Sequence, residues 1–440
     1  MRNRFIGVLS VGIPLLCLLS VLVYNLPPVN SRLAWRVDEL RTRIKYALDP
    51  PEQAIFVPQQ QAQLTGLPTP QVAVTFAPTA TVTPTLPGPT DTPAPSATAT
   101  ISPTPLPDQV MLGGVKYEDQ HGRWNYCGPA NLSMALTFWG WDGNRDVVGQ
   151  SIKPKDKDKN VMPYEMQDFV ETQTTGLSAI VRSGGDIDLL KRMVAAGFPV
   201  VAEKGYYEVD YTGKLGWLGH YQFVTGYDEA KDILIVQDTY VKDGKDHKFP
   251  YADFIEGWRS FNYLFLVVYP QERQDEVITL LGPWADPAWA FSHALEKSQA
   301  EVQTLSGIDQ FFAQFNIGTN QVNLQQYVDA GYAFDQAFSL YANLPDDGTR
   351  PYRILWYQTW PYWAYYYSGR YQDVINLANT TLNDTISEPV LEESFYWRGL
   401  ALEALGDTPG AIADFQESVR LNPNFSPGRE QLDRLGVGGG

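Results

Sequence analysis

The sequence predicts an α+β domain followed by an all-α repeat array, preceded by a single transmembrane helix and a disordered Thr/Pro-rich stalk. Three observations carry this reading. Residues 5–24 are almost wholly apolar and uncharged, and a low-complexity Thr, Pro and Ala stretch comes after them. Between 108 and 271, helical apolar stripes give way to short strand-like runs bounded by turn residues. Beyond 283 the pattern is helical, and spaced residues recur at a fixed offset.

Composition narrows the function. With 440 residues and 44% apolar content, the chain holds two or three domains, each large enough for a core. A net charge of −17 counts against a nucleic-acid partner, since phosphate binding draws on Lys and Arg.

Residues 1–30 are expected to form a signal anchor. The uncharged run has about the 20 residues that a membrane-crossing helix needs, and no Ala-x-Ala pattern marks a cleavage site at its end. Residues 31–57 follow as a juxtamembrane segment, in which Leu33, Val37, Leu40, Ile44 and Leu48 make an amphipathic stripe. Residues 58–107 contain no Lys or Arg and a single acid, Asp91, so they form no packed core and read as a stalk holding the later domains off the bilayer. The basic residues after the apolar run favour a cytoplasmic C-terminal side, whereas the Thr/Pro stalk suits an extracytoplasmic one. Weighing the stalk above the charges, the chain is expected in the cell membrane, single-pass, with its domains outside the cytoplasm.

Within 108–271, Cys127 stands in the run Gln120-His121-Gly122-Arg123-Trp124-Asn125-Tyr126-Cys127-Gly128-Pro129-Ala130-Asn131. Pro129 suits a first helical turn, and Leu132, Leu136 and Trp139 supply the apolar stripe behind it, so Cys127 falls at a helix N-terminus. Free amides and the helix dipole there favour a thiolate. The only other cysteine, Cys17, lies in the apolar N-terminal run, so no disulfide between the two is expected. A helix over 186–196 and a strand over 198–203 come next. Two strands, 220–227 and 233–238, then flank the turn Asp228-Glu229-Ala230-Lys231-Asp232 as a hairpin. If Tyr227 faces Ile233, Asp238 faces Gln222, one pleat step from His220. A slip of two residues sets His220 opposite Asp238, and a slip of one puts them on opposite faces. A base oriented by a neighbouring carboxylate is what a Cys nucleophile requires. The residues 153–160, which mix Lys, Pro and Asp, read as a solvated loop, and the aromatic-rich 205–219 as a loop walling a pocket.

The run from Gln120 to Ala130, the strand Gly219-His220-Tyr221-Gln222-Phe223-Val224-Thr225-Gly226-Tyr227-Asp228 and the later Ile235-Val236-Gln237-Asp238-Thr239-Tyr240 resemble the papain-like cysteine peptidases related to the bacteriocin-processing, double-glycine peptidases. The resemblance implies an α+β papain-like fold over 108–271 with Cys127 as nucleophile, His220 as general base and later acid, Asp238 orienting the imidazole, and Gln120 in the oxyanion hole. His121 is a competing base without a strand context. Singly, each residue has a plainer role: a buried Cys as a small hydrophobe, a strand His as a core group, an Asp as a turn former.

In the C-terminal part, Gly318, Ala330, Phe334 and Ala337 recur 81 residues later as Gly399, Ala411, Phe415 and Ser418, and a weaker unit with Gly369 as its break lies between. These offsets resemble tetratricopeptide repeats over 283–436, which implies a protein or peptide partner; packing against the preceding domain as a rigid spacer is the other role open to them. No cofactor is implied, and one Cys without neighbouring ligands does not make a zinc site. The expected function is therefore a membrane-anchored cysteine peptidase acting on a peptide or protein substrate, with an inactive papain-like binding module and a cell-wall peptide amidase as alternatives. Gly113-Gly114, just before the domain, is either a self-cleavage site or a flexible joint.

Overall fold

The computed structural model describes residues 21–59, 105–209 and 213–437. All but the last four residues of the expected membrane span lie outside this set. Among the described residues no helix is long and apolar enough to cross a membrane. Most of the Thr/Pro-rich stretch is also outside it.

The first domain is built on a seven-stranded antiparallel sheet. Strands β1 (Gln109–Met111), β2 (Leu177–Arg182), β3 (Val200–Val209), β4 (Leu215–Asp228), β5 (Ile233–Asp238), β6 (His247–Pro250) and β7 (Phe265–Pro270) lie in the order β2-β7-β3-β4-β5-β6, with β1 pairing the end of β4. Helices α2 (Cys127–Phe138), α3 (Arg145–Ile152) and α4 (Pro163–Gln173) cover one face, where Leu132, Leu136 and Phe169 pack on Val201, Phe223 and Leu266. Helices α5 (Ile187–Ala195), α6 (Tyr251–Arg259) and α7 (Gln274–Leu281) cover the other, where Leu190, Val194 and Phe254 meet Val200, Val224 and Val236. The expected helix over 186–196 is α5: Asp186 caps it by accepting from Leu189 N at 2.7 Å, and Gly197 at φ 88° ends it. The aromatic segment 205–219, expected as a loop, is instead mostly hairpin, because Gly205 through Val209 pair with Gly219 through Leu215. Gly113-Gly114 follows β1 and is exposed; β1 pairs with Asp228–Gly226, the end of β4 away from His220.

Nine helices among the described residues form the C-terminal array: α8 (Pro287–Thr304), α9 (Gly307–Asn323), α10 (Tyr327–Ala342), the short α11 (Ile354–Tyr357), α12 (Trp360–Tyr367), α13 (Tyr371–Asn379), α14 (Glu392–Ala404), α15 (Thr408–Leu421) and α16 (Ser426–Arg434). The recurring glycines explain the sequence offset. A Cβ on Gly318 would lie 2.7 Å from the Phe334 ring, and one on Gly399 would lie 2.7 Å from the Phe415 ring, so each glycine admits the phenylalanine of the following helix. Between these two pairs, α12 and α13 turn about Gly369 at φ 78°.

The array packs on the sheet domain as one body. Trp217 of β4 stacks on Phe261 and meets Phe312 of α9 and Tyr357 of α11, within a core continuous with the array. Asn262 and Asn320 exchange side-chain hydrogen bonds of 2.7 and 3.1 Å, and Arg259 pairs with Glu301 and Asp309.

The N-terminal helix α1 (Pro27–Leu48) lies where the sequence suggested a juxtamembrane amphipathic helix, and it packs on the rest of the fold. Its polar face docks: Asp38 binds Lys157 at 3.2 Å, Thr42 meets Ser387 at 2.7 Å, and Tyr46 donates to Thr385 O at 3.3 Å. Beyond it, Phe56 is buried against Phe338 and Tyr365, and Glu52 pairs with Lys214. The segment preceding the Thr/Pro-rich stretch is therefore part of the folded body, packed on both the sheet domain and the helical array. The apolar stripe of α1 faces outward, with Leu40 at 60%, Ile44 at 52% and Leu48 at 82% exposure.

Candidate active site

Cys127 is the first residue of α2 and is half-buried. Its approach is prepared by Asn125, held at φ 45° while its side-chain amide donates to Asp158 O at 2.9 Å. Gly128 is required next to it, because a Cβ there would come within 2.9 Å of Val161 Cβ. One helical turn on, Asn131 Nδ2 donates to both Cys127 O and Tyr221 O at 2.9 Å. That bridge ties the start of α2 to β4 one residue from His220.

The hairpin register settles the carboxylate. Tyr227 pairs with Leu234 rather than Ile233, but the ladder shifts between Val224 and Gly226, and beyond the shift Gln222 faces Asp238. Both His220 and Gln222 reach that carboxylate. His220 Nε2 lies 3.1 Å from Asp238 Oδ1, which also accepts from Tyr240 N at 2.8 Å and Val241 N at 3.2 Å, while Gln222 Nε2 donates to Oδ2. With Nε2 so engaged, Nδ1 is the ring nitrogen left for the Cys127 thiol, and Cys127 and His220 line the same cleft.

Charge follows from these contacts. Burial pushes the Cys127 thiol up, but the His220 hydrogen bond and positive charge, with hydrogen bonds from the Tyr221 and Gly128 amides, bring it below its ordinary value. Burial disfavours charge on His220, and Asp238 and Cys127 override it, raising the imidazole to about 10. Asp238 is buried yet held well below the usual carboxylate range by His220, the Tyr240 amide and Gln222. Both shifts run in the direction that favours a thiolate beside an imidazolium.

Gln120 lines the same cleft. Its Oε1 accepts from Thr239 Oγ1 at 2.9 Å and its backbone N donates to Thr239 O at 2.9 Å, so the end left for a ligand is the side-chain NH₂. His121 is exposed beside Asp119 and is not among the cleft-lining residues. All four expected site residues thus share one cleft or its immediate support.

The sequence reading missed the cleft's other walls. The cleft, about 230 Å³, is also lined by Tyr46 of α1, by Lys159, and by Arg353, Trp356, Tyr357, Ile386 and Ser387 from the helical array. Glycines on β4 make room for this wall: a Cβ on Gly216 would meet Arg353 Nη1 at 2.4 Å, and one on Gly219 would meet Phe261 and Tyr357. The expected solvated loop at 153–160 is partly buried. Lys153 and Asp158 are 3% and 4% exposed because the loop satisfies itself, Lys153 Nζ donating to Lys155 O at 3.2 Å and Asp156 O at 2.6 Å.

Residues 113–265 match the model of the Peptidase_C39 like family, and residues 392–425 that of the tetratricopeptide repeat. The chain carries a C39-like cysteine peptidase domain, followed by a helical region with a tetratricopeptide repeat. Among solved structures it is similar to a C39-like peptidase from Bacillus anthracis, at 18% identity and TM-score 0.30, over 37% of this chain and 98% of that one. The peptidase domain of ComA from Streptococcus, a bi-functional ABC transporter in a quorum-sensing pathway, matches at 16% and 0.27, over 37% and 98%. Xylellain, a cysteine protease from Xylella fastidiosa, matches at 17% and 0.28, over 38% and 87%. No curated protein matches the chain.

Proposed function

We propose that the chain is a peptidase that hydrolyses peptide bonds through Cys127, His220 and Asp238. The observation that carries this is the cleft that Cys127 and His220 line together, with His220 Nε2 held 3.1 Å from Asp238 Oδ1. Cys127 Sγ attacks the substrate carbonyl carbon, and the charge on the carbonyl oxygen is met by the Gln120 side-chain amide and the backbone amide of Cys127 at the start of α2. His220 gives its proton to the departing amine, leaving a thioester. It then takes a proton from water as the water attacks the thioester, and the sulfur departs as the thiolate, which restores the pair with the protonated imidazole. Asp238 keeps the ring oriented and its cationic form stable throughout.

We also propose that residues 5–24 anchor the chain in the cell membrane in a single pass, with both domains on the extracytoplasmic side. The support is the uncharged apolar run itself and the outward-facing stripe of α1 directly after it. The helical array supplies one wall of the cleft and so takes part in recruiting peptide or protein substrate. The test is cleavage of a fluorogenic peptide library by the full chain in detergent micelles. Cleavage by wild type that is abolished in both Cys127→Ala and His220→Ala supports the reading, and equal cleavage by all three contradicts it.

A further inference from the structure

A second cavity, of about 240 Å³, lies where β3 and α6 of the peptidase domain meet α9 of the helical array. Tyr206 is the one described residue that lines both this cavity and the catalytic cleft. The floor holds two buried donors. Lys204 of β3 and Trp217 of β4 are each 2% exposed, and neither the Lys204 ammonium nor the Trp217 indole N–H makes a hydrogen bond or ion pair among the described residues. The ammonium rests on the Phe249 ring, 3.5 Å from its centroid, which occupies one side of the group and leaves its other N–H bonds without acceptors. Burial lowers it to about 8, against the attraction of Asp238, Asp253 and Glu256, so it stays mostly cationic at neutral pH. Two glycines let these side chains in: a Cβ on Gly205 would collide with Trp217 Nε1, and one on Gly257 would lie 2.7 Å from Lys204 Cε. Buried donors without acceptors are destabilising, and a ligand oxygen placed on them removes that penalty.

The rim has the opposite charge. Asp253 and Glu256, three residues apart on one face of α6, line the cavity from exposed positions and make no ion pair among the described residues. Asp309 of α9 also lines it but is held by Arg259 at 2.7 Å. A lone anion is opposed by the rim acids and a lone cation by Lys204, whereas a ligand carrying both charges satisfies both ends. The two ends are close, since a Cβ on Gly257, the residue next to Glu256, would stand 3.5 Å from Lys204 Nζ. Phe249, Ile308 and Phe312 supply apolar walls.

We propose that this cavity binds a free α-amino acid with an apolar side chain, its carboxylate on Lys204 and Trp217 and its ammonium facing Asp253 and Glu256. A short zwitterion matches the closeness of floor and rim, and charge-assisted hydrogen bonds fix its carboxylate. The apolar side chain lies against Phe249, Ile308 and Phe312, so the array completes the site. The inference goes beyond the peptidase reading and needs neither Cys127 nor turnover. The Tyr206 ring also meets the His220 ring at 5.4 Å, so an occupied cavity borders the triad.

The experiment is isothermal titration calorimetry on the full chain in detergent micelles at neutral pH. The probes are L-phenylalanine and L-leucine, each also as its amide, which lacks the carboxylate, and as its N-acetyl form, which lacks the ammonium. At least one free amino acid is expected to bind, with its amide and its N-acetyl form each weaker by about ten-fold or more. No binding of either amino acid overturns the proposal, as does a derivative that binds as tightly as its parent. Lys204→Met, close in size, is expected to weaken the amino acid by about ten-fold or more; unchanged affinity in that variant overturns the assignment to this cavity. Should Lys204→Met not fold, the exposed pair Asp253→Asn with Glu256→Gln carries the test. There the N-acetyl form is expected to bind within about two-fold of the amino acid, and selectivity that stays as in wild type overturns the rim's role. Because no step requires cleavage, a chain that hydrolyses no peptide would refute the peptidase reading and leave this inference standing.

Discussion

Gln222 and Asp238 face one another across β4 and β5, and that pair, not a direct His220–Asp238 pair, builds the site. His220 reaches the same carboxylate from two residues along the strand, so Asp238 is held at Oδ1 by the imidazole and at Oδ2 by the amide. Gln222→Leu, of similar size, should therefore loosen Asp238 without removing it. It should lower kcat more than it raises KM, by about 10-fold, as expected for a group that orients the triad. An unchanged kcat measured on the best library peptide would show that Asp238 needs no second holder.

Asp238→Asn should cost more. It removes the charge that raises His220 to about 10, so the imidazolium form is lost at lower pH and the alkaline limb of kcat/KM moves down. The loss in kcat/KM at neutral pH is expected to be about 10²–10⁴-fold. A pH–rate profile whose alkaline limb stays in place in Asp238→Asn would contradict the assignment of the shift to this carboxylate.

The same pair makes stability depend on pH. Asp238, depressed in the fold, contributes stability above its unfolded value near 3.9 and loses it as pH falls. His220, raised in the fold, contributes fully below about 6.5 and loses that contribution as pH rises towards about 10. The difference in Tm between wild type and Asp238→Asn should accordingly be widest between about pH 4 and 6.5 and narrow on both sides. Thermal unfolding of the two proteins across pH 3–10, about the range of these shifts, checks the shape of this window.

Much of the site was legible because its residues act locally. Cys127 declares a helix start through Pro129, and the hairpin is written in two apolar runs around Asp228-Glu229-Ala230-Lys231-Asp232. What was not legible depends on distant contacts. Nothing near Tyr46 or Arg353 marks them as cleft walls, since their neighbours there come from other segments of the chain. Gly216 and Gly219 carried the only signal, two glycines in a strand, a sign of close approach by another element. The 153–160 run looked solvated because its charges were counted, whereas Lys153 is satisfied by carbonyl oxygens that composition does not reveal.

The two faces of the N-terminal segment should respond oppositely to substitution. Phe56 is 5% exposed in the array core, so Phe56→Ala should destabilise the protein by about 3–5 kcal/mol. Leu40→Asp and Ile44→Asp on the outward stripe should each change stability by less than about 0.5 kcal/mol while weakening adsorption to lipid vesicles. Denaturant unfolding of the three variants separates the faces; equal destabilisation by all of them would mean that the stripe is packed.

In the recurring helix pairs, Gly318→Val should force the Phe334 ring out of place and cost about 1–3 kcal/mol. Phe334→Leu in the same chain should recover part of it. No recovery, in calorimetry of the single and double variants, would place the strain elsewhere.

The central claim is that Cys127 is a thiolate paired with His220, and the rate of iodoacetamide alkylation against pH tests it most directly. The chain should be kept whole, with Cys17→Ser to leave one thiol, since a chain beginning at 108 would lose Tyr46 from the cleft and Phe56 from the core. The account predicts rapid alkylation persisting well below pH 8.5, the value near which a free thiol titrates, about as in other activated thiols, and a shift back toward that value in His220→Ala. Slow alkylation with an ordinary thiol profile, unchanged by His220→Ala, would contradict it.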